Sequence, residues 1–241
     1  MAVRRSRPGP DLPYRLLAGV VPCSGGWLAV TGKLQGVSLL TEGAQVLDSF
    51  LDVLDYRPSF DIVALHAPIG LLTAPVPGGR SCDRDARRLL GSPRSGAIFT
   101  PPSRGLLVSP DLSQVTEPLS AVTWQMLPHV DEVAREIGSY HQRTIYEVHP
   151  ELSFYQLNGD QPLRWSKRLR AGQLERRALL ESKLPGIHRA LDVPVPGVRT
   201  GRLLDAGAAL WTARRIAARA ITRIPEDPEW DDEGLRMEIV R

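Results

Sequence analysis

Three short apolar runs separated only by turn residues, then a helical stretch, then a fourth apolar run, set the strongest constraint on how this chain folds. Leu16 to Val21 breaks at Pro22, and Ser24, Gly25 and Gly26 mark a tight turn. Trp27 to Leu34 and Gly36 to Leu40 read as two further strands around a turn at Lys33 to Gly36. Strands this close in sequence pair antiparallel, because a hairpin needs few residues whereas a parallel return needs a crossover. Leu47, Phe50, Leu51 and Leu54 then recur at helical spacing, ending before Pro58. Asp61 to Leu65 (DIVAL) follows that helix, so it can return parallel to the first strand. The expected architecture is α/β: a mixed central sheet with helices on both faces.

The rest of the chain supplies those helices. Cys82 to Leu90 reads as helix, Ser92 to Pro110 as a Pro-, Ser-, Gly- and Arg-rich irregular loop, and Ser120 to Gln142 as helix with a break near Pro128. Thr144 to Val148 is a strand running into His149, Pro150 and Glu151. Residues 171–191 are helical with an interruption at Pro185 and Gly186. Thr200 to Ala220 is the clearest helix, with Leu203, Ala206, Leu210, Ala213 and Ala217 forming one stripe. Leu235 to Val240 suits a last short strand. Residues 1–13 read as a disordered tail, and 14–241 as one domain without repeats or a composition break.

Two cysteines, Cys23 and Cys82, are too few for a secreted disulfide framework and fit a reducing cytoplasm. No run of apolar residues is long enough for a membrane span. Pro8, Pro10 and Pro13 argue against an export signal at the start, and Pro22 against a lipoprotein signal ending at Cys23. The net charge of +3 hides three basic clusters. Six Arg lie between Arg80 and Arg104, six basic residues between Arg164 and Arg177, and six Arg between Arg199 and Arg223. Such clusters suit phosphates or nucleic acid, although solvated helix faces carry similar charge.

Several motifs carry a resemblance. GVVPCSGGW (19–27), LHAPIGL (65–71), GGRSCDRDARRLLG (78–91) and YEVHPELSF (146–154) occur in that order. Ser166 and Lys167 followed by Gly172, Glu175 and Arg176, then LLDAGAALWTARRIA (203–217) and GLRMEI, continue the series. In these stretches the chain resembles the family of predicted RNase H-like nucleases known as domain of unknown function 429. The resemblance implies a ribonuclease H-like fold. It also implies carboxylates from the first strand, the fourth strand and a late helix converging on two Mg²⁺ or Mn²⁺ ions.

The family pattern has aspartate where this chain has Val21 and His66. Val ligates nothing, and a neutral imidazole nitrogen replaces a bridging carboxylate poorly. Glu147, Glu151 and Asp205 match the family's acids, so the resemblance implies at most a weak Mg²⁺ or Mn²⁺ site on Glu147 and Asp205. Each residue also has a plain structural reading. Val21 is a good strand residue, His66 can bond backbone at a strand end, and Asp205 complements a helix dipole. A protonated His66 is a candidate counter-charge for Glu147 or Asp205.

The leading expectation is a pseudoenzyme that binds a nucleotide or nucleic acid with weak or no hydrolysis. Arg80, Arg84, Arg94, Ser95, Arg104 and Lys167 are the candidate phosphate contacts, and Glu147, Asp205, His66 and Glu151 the candidate catalytic remnant. One alternative is an active metal-dependent nuclease using those same four residues. A second is a protein-interaction module using the acidic segment 226–233 (EDPEWDDE), which otherwise reads as solvated. A minor third is a soft-metal site from Cys23, Cys82, His66 and His149.

Overall fold

The computed structural model describes residues 13–108 and 119–241; the tail expected over residues 1–13 lies, except for Pro13, outside them. Strands β1 (Arg15–Cys23), β2 (Gly26–Gln35) and β3 (Ser38–Leu47) form the expected antiparallel meander. Helix α1 (Phe50–Leu54) leads to β4 (Ile62–Leu65), which pairs parallel with β1. After α2 (Ser81–Leu90), α3 (Arg104–Leu107) and α4 (Ala121–Glu136) comes β5 (Ile145–Glu147), parallel to β4. The five-stranded sheet has the order β3-β2-β1-β4-β5. Helices α5 (Pro150–Leu157), α6 (Arg170–Lys183), α7 (His188–Leu191) and α8 (Thr200–Ala217) follow, and a hairpin of β6 (Arg223–Trp230) and β7 (Arg236–Val240) ends the chain.

Period-two alternation divides the core. Leu17, Val21 and Cys23 of β1, with Leu28 and Val30 of β2, pack against Leu203, Ala206 and Leu210 of α8. Leu16, Ala18, Val20, Trp27 and Ala29 pack on the other face against Phe50 and Val53 of α1 and Val133 of α4. Central strand β1 is therefore apolar on both faces, which is why it reads as an unbroken run. Helix α8 is buried over most of its circumference, from Leu203 to Ala213.

Four element readings need correction. Leu47 belongs to β3, because Ser49 caps α1 through a reciprocal box with Asp52 and delays the helix to Phe50. Helix α4 runs through Pro128 without a break. The carbonyl that Pro128 deprives of a donor is that of Trp124, an exposed residue, so water can satisfy it. The region 92–108 is not wholly irregular: it holds a 3₁₀ turn at Ser95–Ala97 and α3. The acidic segment 226–233 is largely exposed, as expected, but it is built into the β6–β7 hairpin and does not hang free as a tail. Asp231 accepts from the amides of Leu71, Glu233 and Leu235, and Asp232 bonds the Thr73 hydroxyl.

The approach of α8 to β1 requires Gly19. A Cβ there would lie 2.2 Å from both the Ala206 oxygen and the Leu210 nitrogen, backbone atoms that cannot step aside. Gly19→Ala is therefore expected to lose at least about 3 kcal/mol in urea denaturation, the upper range for overpacking a core. A loss below about 1 kcal/mol would show that α8 can lift off the sheet at little cost.

Candidate functional site

The face of the sheet under α8 carries the candidate site at the C-terminal ends of β1 and β4. Val21 is fully buried there and packs in the same cluster as Leu204 and Ala206, the neighbours of Asp205. His66, one residue beyond β4, donates from its backbone amide to Val20 at 2.8 Å and stacks edge-on against His149, with ring centroids 4.7 Å apart. Lys167, from the segment before α6, reaches Asp205 with an ammonium-to-carboxylate distance of 2.7 Å. Asp205 is 1% exposed, and its second oxygen, Oδ1, has no hydrogen-bond partner among the described residues.

Glu147 lines a small cavity together with His66 and His149, but its hydrogen bonds go elsewhere. It is in register with Leu65, whose side chain faces α1 and α4, so alternation sends Glu147 to the face opposite α8. There it accepts from the Ile69 amide at 2.6 Å and from the Arg80 guanidinium at 2.5 and 2.8 Å. Arg80, 2% exposed, also binds both oxygens of Asp83 and the carbonyls of Ile69 and Gly70. Burial pushes the Glu147 carboxyl up to about 7, against the pull of Arg80. In place of the expected convergence of Glu147 and Asp205 on one metal ion, the two acids pair with different cations, Arg80 and Lys167.

Glu151 is paired as well. It accepts a bidentate bond from Arg176 at 2.7 and 2.9 Å, deep between α5 and α6. Helix α5 went unread in the sequence although its signals were present. Pro150 stands at its first position, and His149 caps it by accepting from the Glu151 amide at 3.2 Å.

Both histidines are neutral at physiological pH. Burial, then the charges of Lys167 and Arg202, lower His66 to about 3, with a backbone hydrogen bond to Val148 opposing. Burial likewise lowers His149 well below its usual range, helped by His66 and Lys167 and opposed by Asp205. A protonated His66 acting as counter-charge is therefore overturned: two cations and a dry site already surround it.

The remaining candidate phosphate contacts are largely engaged within the protein. Arg84 bonds the Gly79 carbonyl, and Arg94 bonds the carbonyls of Leu163 and Arg164. Arg104 forms ion pairs with Asp231 and Glu233. Ser95 opens the 3₁₀ turn ending at Ala97, whose carbonyl bonds His149. Sequence reasoning did not single out Arg202. It is half-buried one turn before Asp205, and its charge acts on both His66 and Cys23. Its guanidinium makes no ion pair or hydrogen bond among the described residues. The i, i+3 spacing from Asp205 was the available signal. The α8 N-terminus beside it has no side-chain cap.

Among the described residues, no group of three or more His, Cys, Asp or Glu side chains is arranged to hold a metal ion. A two-metal centre needs several anionic oxygens free on one side, and among the described residues the acids on the α8 side, Asp205 and Glu151, are already paired with Lys167 and Arg176. The residues do not fit that group. Nor do they form the soft-metal site. Cys23 packs with Val21 and Leu28 beside α8, whereas Cys82 packs with Ala86 and Ile239 near Arg80.

The family model described as "Protein of unknown function (DUF429)" matches residues 18–230. No curated protein and no solved structure matches the chain.

The buried histidines predict an acid-sensitive fold. The unfolded chain takes up a proton on each below about 6.5, whereas folded His66 does so only near 3. Between those values the unfolded state binds more protons, so stability falls as pH falls. The expected slope approaches ~1.4 kcal/mol per pH unit for each histidine. His66→Gln should flatten it measurably in denaturant titrations from neutral to acid pH. An unchanged slope would show that His66 titrates normally in the folded protein.

Proposed function

The chain belongs to the DUF429 family, and we propose that it is a ribonuclease H-like protein that binds a phosphate-bearing ligand, a nucleotide or nucleic acid, without metal-dependent hydrolysis. Support for the fold comes from the strand order, the antiparallel meander followed by two parallel strands, and a late helix laid over the first strand. Val21 and His66 stand where the resemblance implies aspartates, on the face that α8 covers.

The observation that carries the binding reading is the gathering of positive groups at one place, where Arg202 and the first turn of α8 have no side-chain partner among the described residues and Lys167 is held by Asp205. Arg202, the uncapped first turn of α8 and the half-exposed Lys167 meet at the ends of two parallel strands. A helix N-terminus supplies free amides and a positive dipole end to an anion. Crevices at the carboxyl ends of parallel strands are where open α/β sheets bind ligands. Arg168, Arg170 and Arg199 are exposed nearby in sequence and extend the positive surface.

Weak or absent hydrolysis follows from the same residues. A general base works best with a pKa near the operating pH, and His66 near 3 is far below it. Glu147, Glu151 and Asp205 each carry a cation at hydrogen-bond distance, so none has a free ionised carboxylate facing a ligand with both oxygens.

Fluorescence anisotropy with labelled single-stranded, duplex and hybrid oligonucleotides, beside calorimetry with mononucleotides, tests the binding. With so few free cations, the logarithm of duplex affinity should fall with the logarithm of salt at a slope of about −2 to −4. Arg202→Ala should weaken binding roughly tenfold, the value of a charge-assisted hydrogen bond. No binding to any of these ligands would end the proposal. Cleavage with Mg²⁺ or Mn²⁺ that Asp205→Ala abolishes would establish an active nuclease instead.

A further inference from the structure

Asp205 presents a problem that Lys167 answers. A carboxylate 1% exposed between α8 and the sheet needs a positive partner, or it loses its charge. We infer that the Lys167 ammonium is the resident cation of the Asp205 carboxylate, fixed there by the segment 163–169, and that it excludes divalent metal ions from the cleft independently of any phosphate ligand.

The segment bearing Lys167 is held from several sides. The carbonyls of Leu163 and Arg164 accept from Arg94, each at 2.9 Å. The amides of Arg164 and Trp165 donate to Glu175, each at 3.1 Å. The Trp165 carbonyl accepts from Arg176 at 3.0 Å, and the Lys167 carbonyl from Gln173 at 3.2 Å. Arg176 is itself fixed by Glu151, so that buried pair serves as an anchor for the segment. Gly172 allows the closest contact: a Cβ there would lie 2.1 Å from the Ser166 carbonyl oxygen, one residue from Lys167.

A divalent ion competes badly with this arrangement. The tethered ammonium has an effective concentration of roughly millimolar or more without any loss of translational freedom. An arriving dication would meet the positive charges of Lys167 and Arg202, both of which act on His66, in a site that screens them poorly. Only Asp205 Oδ1 would be free to ligate it, beside a neutral imidazole that hard cations disfavour. Removing the ammonium reverses each term at once. Both Asp205 oxygens then lack a partner in a buried place.

Calorimetric titration with MnCl₂ and thermal melts with and without Mn²⁺ test the inference on the full chain. The unaltered protein should show no saturable binding and no shift in Tm. Lys167→Met should acquire a saturable site, with Mn²⁺ affinity raised roughly tenfold or more, and should be stabilised by the ion. Lys167→Arg should behave as the unaltered protein. Adding Asp205→Asn to Lys167→Met should abolish the gain, which places the ion at that carboxylate. Gly172→Ala, which leaves Lys167 and Asp205 untouched, should push the segment off α6 and give a smaller gain of the same kind. That variant also serves if Lys167→Met does not fold. Mn²⁺ binding by the unaltered protein as tight as by Lys167→Met would overturn the inference. So would the absence of any gain in both Lys167→Met and Gly172→Ala.

Discussion

The contact of α8 with β1 at Gly19 sets the position of nearly everything described above. With no side chain at Gly19, the backbones of helix and strand come within reach of each other, and Ala206, Ala208 and Ala209 keep the helix side of the contact small. Close approach puts Asp205 on the Val21 face and Arg202 beside His66 and Cys23. It also seals that face, which is what makes the protonation state of its histidines and the pairing of its acid matter. A helix held farther out would leave Asp205 to water and Lys167 without a fixed partner.

Sealing the acids required a partner for each. Arg80 serves Glu147, Arg176 serves Glu151, and Lys167 serves Asp205, each through contacts of 2.5–2.9 Å. Such pairs add little net stability over apolar residues of the same shape, but removing one partner leaves a buried charge and costs about 3–5 kcal/mol. They therefore fix an arrangement more than they strengthen it. All three cations belong to the chain, so each acid has its counter-charge without an ion from solution.

Much of the sheet was legible because β1, β2 and β4 are apolar on both faces and bounded by turn residues, as at Pro22 and at Ser24 to Gly26. The late helix was legible from its stripe of Leu and Ala. The side of the sheet that Glu147 faces was harder to read. It follows from the pairing of Glu147 with Leu65, a register set by parallel strands 82 residues apart in sequence, and no local pattern encodes it. Its partner Arg80 is likewise 67 residues away. The acidic stretch 226–233 was legible as solvent-facing but not as a hairpin, because charge density does not reveal that the buried Asp231 is the acceptor that shapes the turn before β7.

The basic clusters illustrate what composition alone leaves out. The loops flanking α2 are rich in Pro and Gly and, apart from the 3₁₀ turn at Ser95–Ala97, lie outside helix and strand, so some of their carbonyls need donors from elsewhere. Arg84 and Arg87 supply them to Gly78, Gly79 and Ile98, and Arg94 does the same for Leu163 and Arg164. The five-donor guanidinium is well suited to that task, because it can bind two carbonyls while its stem packs on the surface. An Arg-rich segment can therefore report an irregular loop that needs support as readily as a surface for phosphates. What separates the two is whether the guanidinium already has acceptors. By that measure Arg202, which sequence counts only as one of six in its cluster, has more to offer a ligand than Arg80.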